Sequence, residues 1–134
     1  MICDTIEAFA TALPRTGAVV GLDLGTKTIG VAVSDGLRSV ATPLLTIRRE
    51  KFTLDAEKLL AIIAGRALTG IVLGLPRNMD GSEGPRCQST RAFARNLEKL
   101  TPLPISFWDE RLSTVAAERA MLEADLSRRA RAER

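Results

Sequence analysis

The chain has 134 residues, 46% of them hydrophobic and 26% charged, with a net charge of +3. That is enough apolar material for a single domain over 1–134 and too little charge bias for disorder. It contains no histidine and no tyrosine, which excludes Ser–His–Asp and Cys–His triads, imidazole-ligated zinc and histidine general bases. Any chemistry here runs on carboxylates, hydroxyls, lysines, arginines or a bound metal.

Ile2, Ile6, Phe9 and Leu13 fall at helical spacing and Pro14 follows, which predicts a short, peripheral N-terminal helix within residues 1–16. Asp4 and Glu7 stand where a signal peptide carries positive charge. No apolar run approaches the ~18 residues of a membrane span, so a cytoplasmic protein without a membrane partner is expected. Cys3 and Cys87 belong to no ligand-spaced motif and read as incidental.

AVVGLDLG, a Gly–Thr–Lys–Thr turn and IGVAVSD predict a β-hairpin. Residues 39–47 predict a third strand, with Pro43 marking an edge or an irregular start. From Thr53 the period changes: Thr53 reads as an N-cap, Asp55 and Glu57 fall in the first turn, and Leu59, Leu60, Ile63 and Ala67 form an apolar stripe. GIVLGL at 70–75 is apolar on both faces, as a buried parallel strand is. The loop PRNMDGSEG leads into a helix over about residues 85–100, with Phe93, Leu97 and Leu100 inward. PISFWDE is the fifth strand, and Ser113 or Thr114 caps a last helix carrying Val115, Leu122 and Leu126. The order β-β-β-α-β-α-β-α predicts an α/β fold: a mixed sheet of three antiparallel strands, then two parallel ones, with helices on both faces. It is the order of the ribonuclease H-like fold.

Three segments carry candidate chemistry. In VVGLDLG, Val20, Leu22 and Leu24 share one face while Asp23 shares the other with Gly21. A carboxylate in an apolar strand is expensive to bury without a cation or a donor beside it. Asp23 is thus a metal ligand or catalytic acid with Gly21 and Gly25 clearing space around it, or a strand-end aspartate bonded to the hairpin backbone. Asp109 and Glu110 close the fifth strand, at the carboxyl end where open α/β sheets place their sites. Neighbours on a strand point oppositely, so at most one of them faces Asp23; the alternative is two solvated acids, one paired with Arg111. The loop from Arg77 and Asn78 to Gly84 feeds a helix N-terminus and, with Arg86, could cradle a phosphate, or it is a polar turn with Gly81 at positive φ. Arg91, Arg95 and Lys99 repeat along one helix face, a phosphate track or an ordinary solvated face.

Taken together, GLDLGTKTIGVAVSD at 21–35, IVLGLPRNMDGSEGP at 71–85 and WDERLSTVAAE at 108–118 resemble the YqgF (RuvX) family of ribonuclease H-like proteins. The resemblance implies a nuclease that processes the 5′ end of pre-16S rRNA in ribosome biogenesis, or a Holliday junction resolvase. It maps the first-strand aspartate onto Asp23 and the Asp–Glu–Arg motif onto Asp109, Glu110 and Arg111. The family's further aspartate, in a C-terminal helix, has no counterpart before the chain ends at RRARAER.

Without histidine, phosphodiester hydrolysis calls for divalent ions. Two Mg²⁺ or Mn²⁺ ions, roughly 3.5–4 Å apart, activate water and stabilise the attacking and leaving oxygens, and hard carboxylate ligands suit them. In this reading Asp23 bridges the ions, Glu110 holds one and Asp109 supports them. Lys27, Arg77, Asn78, Arg86 and Arg111 contact the nucleic acid, pre-rRNA or structured DNA, with the protein a monomer or a homodimer. Two rivals remain: a non-catalytic RNA-binding assembly factor, and an actin-like ATPase, whose paired domains 134 residues cannot supply.

Overall fold

In the computed structural model, residues 1–37, 41–76, 78 and 80–109 are described, the last through its backbone. The elements are α1 (Ile6–Ala12), β1 (Val20–Leu24), β2 (Thr28–Ser34), β3 (Ala41–Arg48), α2 (Phe52–Arg66), β4 (Ile71–Leu75), α3 (Pro85–Glu98) and β5 (Ile105–Asp109). The helix expected from Ser113 or Thr114 lies outside the described residues.

The strands form one sheet in the order β3-β2-β1-β4-β5. β1, β2 and β3 pair antiparallel, whereas β4 pairs parallel with both β1 and β5. This is the mixed sheet that the sequence pattern predicts. β3 is the edge strand, and its register slips at Leu44, since Val31 pairs with Leu45 while Ala32 pairs with Pro43. A proline has no N–H to give the ladder, so the irregularity falls where the chain can tolerate it. At the opposite edge, Cys3 N–H donates to the Ile105 carbonyl and Ile105 N–H to the Met1 carbonyl, both at 2.7 Å. Residues 1–3 thereby extend the sheet past β5.

Strand alternation divides the sheet into two faces. Val20, Leu22, Leu24, Ile29, Val31, Ile47, Ile71, Leu73 and Ile105 are buried in one cluster with Leu59 of α2 and Phe93, Ala94 and Leu97 of α3. Phe52 meets Phe93 edge-to-face, with ring centroids 5.2 Å apart. Both cysteines are buried and neither is in a disulfide. The other face carries Asp23 among Gly21, Gly30, Thr46, Gly74 and Trp108.

Two local expectations for α2 are corrected. Thr53 is not its N-cap: the helix begins at Phe52 with Lys51 in the cap position. The buried Asp55 carboxylate accepts the Glu50 N–H at 3.1 Å, tying the preceding turn down from inside the helix. Ala67 is not part of the apolar stripe but the C-cap, at φ 52° and ψ 46°. This left-handed conformation costs an L-residue roughly 1–2 kcal/mol and is normally filled by glycine. Ala67→Gly is expected to stabilise the protein by about 0.5–1 kcal/mol, because relief of that strain exceeds glycine's added unfolded-state entropy. A urea midpoint that falls for this variant would contradict the assignment.

Candidate active site

Asp23 emerges on the face of the sheet opposite the α2–α3 core. Its neighbours Leu22 and Leu24 are buried while Asp23 is exposed. Across β2 it pairs with Gly30, which pairs in turn with Thr46 of β3. On the other side the register matches Leu22 with Leu73 and Gly74 with Trp108, so the next rung sets Asp23 beside Gly74. The carboxylate therefore stands between two strand glycines. A Cβ built at Gly30 would lie 3.6 Å from the Asp23 Cβ, so even a methyl there would fill the flank that glycine leaves clear. Gly21, Asp23, Gly30, Thr46, Gly74 and Trp108 line a groove of about 600 Å³.

Among the described residues the Asp23 carboxylate takes part in no hydrogen bond or ion pair. The reading of it as an aspartate bonded to the hairpin backbone is not what the structure shows: the turn closes without it, through the Gly25 N–H donating to the Thr28 carbonyl at 2.8 Å.

Three cations belong to or bond the hairpin end that follows β1. Lys27 is exposed at the tip of the turn. Arg86, the second residue of α3, donates from Nη2 to the Leu24 carbonyl at 3.4 Å. Arg49 donates from Nη1 to the Gly25 carbonyl at 2.7 Å, while its own N–H bonds the Lys27 carbonyl at 2.8 Å. Its guanidinium carbon lies 6.0 Å from the centroid of the Phe93 ring. Sequence reasoning passed over Arg49, because nothing local distinguishes it from Arg48 as a residue ending a strand.

The loop after β4 is largely self-contained. The Asn78 N–H donates to the Ser82 carbonyl and its side-chain amide to Ser82 Oγ at 3.1 Å. Asp80 Oδ1 accepts from both the N–H and the hydroxyl of Ser82. Gly81 has φ 90°, the positive angle expected of that turn. The loop is pinned to α3 by Arg91, whose Nε and Nη2 both reach the Glu83 carboxylate at 2.6 Å. Arg91 also lies 4.9 Å above the Phe107 ring, and the Glu83 carboxylate raises its pKa above the ordinary arginine value. Arg91 thus leaves the proposed phosphate track, since its charge is already met; Arg95 and Lys99 remain exposed.

Asp109 ends β5 opposite Leu75. Arg77, Glu110 and Arg111 lie outside the described residues. Among the described residues no three acidic or cysteine side chains converge as a metal site, and no helix is long and apolar enough to cross a membrane.

Comparison with known proteins completes the picture. The family described as RuvX, Holliday junction resolvase, matches residues 17–134. The chain belongs to the RuvX family. Relatives within it are close: a protein of Paracoccus denitrificans is 79% identical over 133 residues, covering 99% of this chain and 84% of its own length. One from Rhodobacter capsulatus is 77% identical with the same coverage. Both bear the name "Putative pre-16S rRNA nuclease". Among solved structures, Thermus thermophilus RuvC superposes with a TM-score of 0.53 at 11% identity, over 82% of this chain and 80% of RuvC. The large terminase nuclease of phage G20c gives 0.50 at 14% identity, over 84% and 54%. At such identities the likeness concerns the fold, which for this RuvX-family chain is ribonuclease H-like.

Proposed function

We propose that this RuvX-family protein is a divalent-metal-dependent nuclease that hydrolyses phosphodiester bonds in the 5′-end processing of pre-16S rRNA. The observation that carries the reading is Asp23: an exposed carboxylate, without a partner among the described residues, between two glycines at the end of an apolar strand. The names of relatives 77–79% identical to it support the substrate.

A hard carboxylate with open flanks fits Mg²⁺ or Mn²⁺. Asp23 would hold the ions jointly with Glu110, and Asp109 would support them. When bound, a pair of such ions lowers the pKa of water and offsets charge on the attacking and leaving oxygens. The chain's own residues do the rest. The glycine flanks let the sugar–phosphate backbone approach, and Lys27, Arg77, Asn78, Arg86 and Arg111 orient it. With no histidine in the chain, no imidazole shuttles the proton.

The test is cleavage of an RNA spanning the 5′ leader of pre-16S rRNA, beside a four-way DNA junction, in Mg²⁺, Mn²⁺ or EDTA. Cutting of the leader RNA that stops in EDTA is the expected result. Preference for the junction would replace the rRNA reading with a resolvase, the activity in the family's description. Binding of RNA with no cutting in either metal would replace it with a non-catalytic assembly factor.

A further inference from the structure

Arg91 joins three parts of the chain. It lies in α3, its Nε and Nη2 bond the two carboxylate oxygens of Glu83 at 2.6 Å, and its guanidinium stands 4.9 Å from the centroid of the Phe107 ring. Glu83 belongs to the loop between β4 and α3, immediately before the helix cap at Gly84. Phe107 lies in β5, two residues before Asp109 at its end. Leu75, the last residue of β4, pairs with Asp109, so the loop leaves β4 alongside the end of β5. Long helical side chains lean toward the N-terminus of their helix, which lets Arg91 turn back to the loop. Within the loop, Asn78 and Asp80 bond Ser82, and a Cβ at Gly84 would come within 3.5 Å of Asn78 Nδ2. Those contacts give the loop its shape; the contacts from Glu83 to Arg91 and from Arg91 to Phe107 set that shape against β5.

We infer that Arg91 is a positioning residue: through Glu83 and Phe107 it holds the β4–α3 loop, and Asn78 with it, in place beside the end of β5. The inference rests on the nuclease reading, in which Asn78 orients the substrate and Asp109 supports the ions, and it gives a role to a pair that reading leaves out. Two parallel N–H···O bonds fix direction as well as distance, and the aromatic ring constrains the same guanidinium from another side. The side chains of Arg91 and Glu83 are still 34% and 29% exposed. An ion pair that exposed adds little to global stability, so what the geometry secures is the local placement of the loop. With its charge met by Glu83, Arg91 holds a part of the fold and not a phosphate.

The experiment compares the wild-type chain with R91Q, R91K, E83Q and the double variant E83Q/R91Q. It measures kcat and KM for the leader RNA in Mg²⁺, the salt dependence of RNA binding in EDTA, and amide hydrogen exchange at Asn78 and Gly81, whose N–H groups bond within the loop at 2.9 Å. Misplacing a group by 1 Å can cost about a hundredfold in rate, so R91Q and E83Q are each expected to lower kcat about ten- to a hundredfold and to speed exchange at both amides. The double variant falls no further than either single one, because both break one contact. R91K keeps the charge without the fork and is expected to fall with R91Q. The salt slope of R91Q stays at the wild-type value; a loss of about 0.7 would mark Arg91 as a phosphate contact and overturn the inference. An unchanged kcat in R91Q would overturn it as well, as would single losses that multiply in the double variant or a rate that falls only as far as the folded fraction does. Should R91Q fail to fold, E83Q decides the matter, since it leaves the arginine on the Phe107 ring. If the wild type cuts nothing, the nuclease reading falls and exchange alone judges the brace: faster exchange in R91Q and E83Q upholds it, and unchanged exchange overturns it.

Discussion

Asp23→Asn is expected to lower metal-dependent cleavage by about 10²–10³-fold or more while leaving the fold intact. The size follows from what a divalent ion contributes: stabilising transition-state charge is worth several kcal/mol, and each 1.36 kcal/mol is tenfold in rate. Asparagine keeps the shape of the side chain and removes the charge that draws a cation. Stability should stay within about 0.5 kcal/mol of the wild type, because the Asp23 carboxylate is exposed and no bond to it among the described residues is lost. The measurement is initial cleavage rate in Mg²⁺ together with thermal unfolding of both proteins. A wild-type rate would remove Asp23 from the mechanism. A lost rate accompanied by a large fall in Tm would make it a structural residue instead.

Leu73→Ala is expected to destabilise the protein by about 2–5 kcal/mol, the cost of emptying a fully buried leucine site. Leu73 is 0% exposed and lies in β4, between Leu22 of β1 and Phe107 of β5. Strands on both sides hold the backbone in place, so the surrounding side chains cannot close the cavity by moving the strand. Domains of this size have a total stability of roughly 5–15 kcal/mol, so the substitution removes a large share of it. Urea unfolding should show a lower midpoint at unchanged slope. Leu45→Ala is the control, since Leu45 is 43% exposed on the edge strand and its loss should cost under about 0.5 kcal/mol. Equal losses for both would show that β4 is not the centre of the core.

The two substitutions separate the faces of the sheet, and the division was legible in the residue pattern. Val20, Leu22 and Leu24 alternate with Gly21 and Asp23, and that alternation alone put the acid away from the core. The β-hairpin, the edge character announced by Pro43 and the continuous apolar run of β4 could be read for the same reason: each depends on residues a few positions apart. The order of elements then limited the sheet to a mixed one, because a hairpin makes neighbours antiparallel and a helical crossover makes them parallel.

What tertiary structure decided lies between residues far apart in the chain. Arg49 and Arg86 meet the end of β1 across 24 and 62 positions, and neither separation leaves a periodic trace. Arg91 looked like one charge in a helical stripe until the loop brought Glu83 against it. The caps of α2 were misread because the buried Asp55 carboxylate and the left-handed Ala67 override propensities that favour Thr53 and a longer stripe. The sequence by itself determined the fold class, the family and the candidate acids, since burial alternation and contiguous motifs are local. Which cations are held against backbone carbonyls and which are neutralised by a carboxylate was decided only by folding, because charge compensation depends on distances in space that no spacing along the chain encodes.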